Sequence, residues 1–173
     1  YDTTEVHGTA CAEIIHEVTP KAALFLAWYD GSDAAMGEAV EWLLNQDVDI
    51  ISHSAGGVVS PRDGSGWDAQ LVNDVSDQGI LWVNAAGNEA LGHYRDFFID
   101  DDGDGYHEFQ PGVFALPIET MGRMRVFLVW QDDWARPTQD YALFLLNADA
   151  EIIAASEDPQ DGSLGQQPAE GIL

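Results

Sequence analysis

Three short apolar runs limit what this chain can fold into. They are AALFLAWY at residues 22–29, VDIIS at 48–52 and ILWVNAA at 80–86. Each reads as a buried strand, and the first, apolar at every position, reads as one covered on both faces. The stretches between them repeat their apolar residues at helical spacing. Met36, Ala39, Val40, Leu43 and Leu44 mark one face of a helix that Ser32 or Asp33 can cap and that runs through Gln46. Trp67, Leu71 and Val75 mark a face of another, with Gly79 as its stop. An earlier helix spans Thr9 to about Glu17, with Ala10, Ile14 and Ile15 on its apolar side, and Pro20 ends it. Strand and helix in alternation predict an α/β fold with a parallel sheet and flanking helices. Functional groups in such sheets gather at the carboxyl ends of strands. Here those ends are Ser52 to Gly57 and Ala85 to Asn88.

The pattern changes after about Leu91. Residues 113–117, 123–130, 140–146 and 151–155 are short and strand-like, turns follow them, and helical periodicity is absent. This half reads as an antiparallel β-sandwich-like unit. The expected division is residues 1–92, an acidic connecting loop at 93–112, and a β-rich domain at 113–173. Apolar residues make up 46% of the 173, enough to build a core. Asp and Glu number 31 against 6 Lys and Arg, a net charge of −25. That surface repels nucleic-acid phosphates and anionic lipid and attracts cations, so no nucleic-acid partner is expected. It fits a high-salt or calcium-containing medium as well as a plain self-repelling surface. No run is long enough to span a bilayer, and no signal peptide is visible. A single cysteine, Cys11, excludes an internal disulfide and reads as a small apolar helix residue. The chain starts at Tyr1 with its motifs almost at once, and a processed product or a fragment of a longer protein is the expectation.

Three groups of residues carry possible chemistry. His7, in His7-Gly8-Thr9, opens a helix and can act as general base for a hydroxyl. Asn88, after Gly87, can donate its amide to an oxyanion. Ser54, Ala55 and Gly56 form a small polar edge that can bond an extended peptide as an added strand. Singly, each has a plain structural explanation: a satisfied histidine, a turn, and a strand end that needs small residues.

In one order they resemble the subtilisin-like serine peptidases, the subtilase family. The matching text is HGTACAEII, VTPKAALFLAWYD, EAVEWLLNQDVDIISHSAGG and GILWVNAAGNE, over roughly residues 5–90. The resemblance implies His7 as the triad base, Asn88 as the oxyanion donor, and Ser54, Ala55 and Gly56 as the lining of the primary specificity pocket. It also implies an aspartate on a strand before the histidine and a serine in a Gly-Thr-Ser motif after the asparagine. Neither is present in this chain: Asp2 and Glu5 are too near His7, and Ser156 and Ser163 lack the context. The aspartate strand would lie between the strands expected at 22–29 and 48–52. Alone, then, the chain is expected to be inactive and marginally stable. The rest of a parent chain would supply Asp and Ser, and the substrate would be a polypeptide. Secretion is expected with it.

Residues 100–108, DDDGDGYHE, suggest calcium. Asp100, Asp102 and Asp104 alternate as in a calcium loop, Gly105 allows the turn, Tyr106 offers a carbonyl and Glu108 a carboxylate. The twelfth position is Pro111 rather than Glu, and a solvated acidic turn is the alternative. WQDDW, DYALFLLN and PAEGI resemble the pre-peptidase C-terminal type of β-sandwich, which in some subtilases is inserted between the asparagine and serine motifs. Asp132, Asp133 and Asp140 read there as turn residues before metal ligands. A non-catalytic calcium- or protein-binding module on a relic peptidase scaffold is the other reading of the whole. A histidine-based metal hydrolase is a poor third reading, since His7, His16, His53, His93 and His107 form no HExxH-like pair.

Overall fold

Val40, Ile51 and Val75, from two helices and the strand between them in sequence, meet as the buried centre of the first half. The computed structural model describes residues 6–89 and 91–173; Asp2 and Glu5 lie outside them. The chain divides into two compact units, Tyr1–Gly87 and Asn88–Leu173.

In the first unit α1 spans His7–Val18, α2 Asp33–Leu44, β1 Ile50–His53, α3 Trp67–Asp77 and β2 Leu81–Asn84. Ser32 caps α2, its hydroxyl accepting from the Ala35 N–H at 3.3 Å. Asp30 in turn accepts from the Ser32 hydroxyl and N–H at 2.6 and 2.9 Å, which holds the Asp30 carboxyl below its usual range. β1 and β2 pair in parallel from Ile50↔Leu81 to His53↔Asn84, with α3 as the crossover. Leu43, Leu44, Val48, Leu71, Ile80 and Trp82 pack around the three core residues. The mixed α/β class is as the alternation predicts.

Three local expectations fail. Residues 22–29 form no strand: among the described residues the parallel sheet holds β1 and β2 alone. The run packs through rings instead: Phe25 meets Trp42 edge-on at 6.3 Å between centroids, and Tyr29 reaches His53. Burial of the other two runs is one-sided. Ile51, His53, Trp82 and Asn84 share one face, while Ile50, Leu81 and Val83 on the other stay 58%, 57% and 49% exposed. Finally, α1 begins at His7 and buries none of its residues; Ile14 is 62% exposed.

The second unit opens on an aromatic cluster. Phe109 and His107 lie 4.7 Å apart, Tyr94 and Phe109 5.0 Å, and Phe98 and Tyr141 5.1 Å. Next come β3 Val126–Val129, β4 Leu143–Leu146, β5 Ile152–Ser156 and β6 Ala169–Ile172. β3 pairs with β6 and β4 with β5, both antiparallel. The Ser156 hydroxyl joins the two sheets, donating to the Glu170 carboxylate and accepting from Gly171 N–H at 3.1 Å. Residues 113–117 form no strand. Val113 makes a single bridge to Gln110 across a turn at Gly112, whose φ of 71° suits glycine. β6 is an addition: it falls in the PAEGI text, outside the four strand-like segments expected from sequence.

Candidate active site

His7 is the first residue of α1, so its ring stands at the helix entrance. Its Nε2 lies 2.9 Å from the Ser54 carbonyl oxygen, just past the end of β1. A carbonyl only accepts, so this bond places a proton on Nε2, and in the neutral ring the lone pair is then on Nδ1. Cys11, one helical turn along, has its sulfur 3.7 Å from the same nitrogen. The structure thus brings together His7 and the Ser54 backbone, two of the residues singled out by the sequence. Ala55 and Gly56 follow Ser54 in an exposed segment without regular structure. Asn88 lies just past β2, after a turn at Gly87 with φ of 92°, and opens the second unit.

A further set of polar side chains stands at the same strand ends. His53 Nδ1 lies 2.6 Å from Asn84 Oδ1, and His53 Nε2 lies 2.8 Å from the Tyr29 hydroxyl. None of these three was singled out as a site residue by sequence. The available signal was one amide side chain, Asn84, inside the apolar run ILWVNAA, at the rung where β1 carries His53.

In the acidic loop, one oxygen each from Asp100, Asp102 and Asp104 falls within 4.8 Å of the others, a hard-oxygen set of the kind calcium takes. The same carboxylates order the loop: Asp100 accepts from the N–H groups of Gly103, Asp104 and Gly105 at 2.8–3.1 Å. Tyr106 donates its N–H to Asp104 at 2.8 Å. Glu108 is buried, and its carboxylate accepts from Gly112 N–H at 3.0 Å. The loop closes at its base, where Glu108 N–H meets the Ile99 carbonyl at 2.7 Å and Ile99 N–H meets His107 Nδ1 at 3.1 Å. In the β-rich region Asp132 and Asp133 accept nearby backbone N–H groups, the turn role their sequence suggests, whereas Asp140 accepts from the distant Gln160 N–H at 3.2 Å.

No curated protein and no solved structure gives a significant match to the chain. The family model described as the subtilase family matches residues 1–112. That span holds His7, residues 54–56, Asn88 and the acidic loop, and it is well over half of the 173 residues. The chain belongs to the subtilase family.

Proposed function

We propose that the chain is the segment of a secreted subtilisin-like serine endopeptidase that carries the base and the oxyanion donor. The aspartate and the nucleophilic serine come from the rest of the protein, and the β-rich region is an inserted domain of the pre-peptidase C-terminal type. In the complete enzyme the serine Oγ attacks the peptide carbonyl. His7 takes the hydroxyl proton at Nε2 and returns it to the leaving amine. Asn88 donates its side-chain amide to the oxyanion. An extended polypeptide lies along Ser54, Ala55 and Gly56, where small side chains leave room for it. Calcium at Asp100, Asp102 and Asp104 would neutralise three clustered carboxylates and stiffen the loop.

One observation carries this reading: within a subtilase match, the His7 imidazole lies against the backbone that leads into the proposed substrate edge. The test is the full-length protein with a fluorogenic peptide and a fluorophosphonate probe for activated serines. Hydrolysis and labelling that His7→Ala abolishes are expected. A full-length protein that neither cleaves nor labels removes the reading. The grouping of the three aspartates favours a second one, a calcium-binding module without catalysis, and calcium affinity in such an unreactive protein would carry it.

A further inference from the structure

The carboxyl end of the β1–β2 pair holds a hydrogen-bond network that the peptidase chemistry does not use. His53 and Asn84 form its last rung. Besides the bonds to Tyr29 and Asn84 already given, Trp82 Nε1 lies 3.3 Å from Asn84 Oδ1. Asn84 Nδ2 lies 2.8 Å from the Ala85 carbonyl and 3.4 Å from the Ala55 carbonyl.

With a neutral imidazole, these partners fix every proton. An indole N–H only donates, so the Asn84 atom facing Trp82 is oxygen. Backbone carbonyls only accept, so the atom facing Ala55 and Ala85 is nitrogen. The oxygen also faces His53 Nδ1, and that contact requires Nδ1–H. A neutral ring then has its lone pair on Nε2, and the Tyr29 hydroxyl donates to it. Donation runs one way, from Tyr29 to His53 to Asn84 to the two carbonyls.

The backbone at the end of this relay is the proposed substrate edge. The parallel ladder finishes with Ala85 N–H on the His53 carbonyl at 3.0 Å. Past that bond, the Asn84 amide ties Ala55 to the end of β2, and His7 holds the Ser54 carbonyl between them. We propose that Tyr29, His53 and Asn84 are positioning residues. They set the backbone of residues 54–56 against β2, and so the register in which an extended polypeptide lies along it. The polypeptide in this statement rests on the peptidase reading; the network does not.

Long-range 1H–15N NMR on the histidine-labelled chain reads the tautomer. The expected pattern is a protonated Nδ1 and an unprotonated Nε2 at His53, with the Nε2 signal moving in Tyr29→Phe. Asn84→Asp keeps the acceptor for His53 and Trp82 but loses both donors, so the tautomer should persist. Tyr29→Phe lies at the far end of the relay, and it should still shift the backbone amide signals of residues 54–56. An Nε2–H tautomer at His53, or unmoved amide signals in Tyr29→Phe, overturns the proposal. In the full-length protein Asn84→Asp should raise KM for an extended peptide by about three- to tenfold, the worth of one hydrogen bond, with kcat changed less than about twofold. An unchanged KM beside a working enzyme also overturns it. Absence of any peptidase activity would instead sink the peptidase reading, and the tautomer and amide measurements would still decide the network.

Discussion

His7 donates through Nε2 to the Ser54 carbonyl, and a base that takes a hydroxyl proton at that nitrogen must first give this bond up. The physical need is an acceptor on Nδ1, which would hold the proton there and free the Nε2 lone pair; in the triad this is the aspartate's work. Among the described residues nothing bonds Nδ1 of His7. Adding the aspartate-bearing part of the protein should therefore switch the His7 tautomer from Nε2–H to Nδ1–H, observable by the same nitrogen NMR. Unchanged tautomers with and without it would contradict the assignment of His7 as triad base. Asn88 makes a separate prediction. Asn88→Ala in the full-length enzyme should lower kcat by about 10²–10³ with KM nearly constant, the loss known for subtilisin, which is of the same family. A fall in KM-dependent binding alone would place Asn88 in substrate binding rather than at the oxyanion.

Helices and paired strands differed in how much of them could be read from sequence. A helix makes its own hydrogen bonds, so α2 and α3 followed from apolar spacing and Ser32 alone. A strand needs a partner that local pattern does not name. Residues 22–29 are apolar enough for a buried strand yet form none, and α1 buries none of its residues fully. The candidate residues show the same split. His7, Asn88 and residues 54–56 were legible as motifs, whereas Tyr29, His53 and Asn84 meet only through strand register and long-range folding. With so few residues fully buried in the first unit, each should matter. Val75→Ala should cost about 2 kcal/mol by removing two buried methyl groups, measured by denaturant unfolding. In the β-rich unit, Glu170 is 3% exposed and bonds Ser156 and Gln160. Asp132 accepts from Gln139, Asp133 and Thr138 N–H groups, foremost Gln139, and these hold its carboxyl below the ordinary value of 3.8. Between the lowered folded value and 3.8 the unfolded chain binds more protons, so stability rises with pH there. The contribution is complete above that window and is lost as pH falls through the folded value. Amide exchange at Thr138 and Gln139 should accelerate with that step, and Asp132→Asn should remove the step.

At the scale of the whole molecule, a net charge of −25 on 173 residues opposes compaction. Repulsion between exposed carboxylates acts over a screening length of about 10 Å at 0.1 M salt and about 3 Å at 1 M. Sodium chloride should therefore raise the melting temperature smoothly across that range, without saturation at low millimolar concentration. The aspartate group in the acidic loop predicts a different response. Three carboxylate oxygens within 4.8 Å of one another repel at close range, where diffuse screening is weakest and a bound divalent ion is most effective. At constant ionic strength, calcium should add a saturable rise in melting temperature that magnesium does not match, because magnesium demands near-ideal octahedral geometry and gives up its waters reluctantly, whereas calcium accepts irregular oxygen sets. Asp102→Asn with Asp104→Asn should abolish the saturable part and leave the sodium chloride response in place. If calcium acts no more strongly than sodium at matched ionic strength, or acts equally on the double variant, the loop is a solvated acidic turn. The general charge would then account for the whole effect.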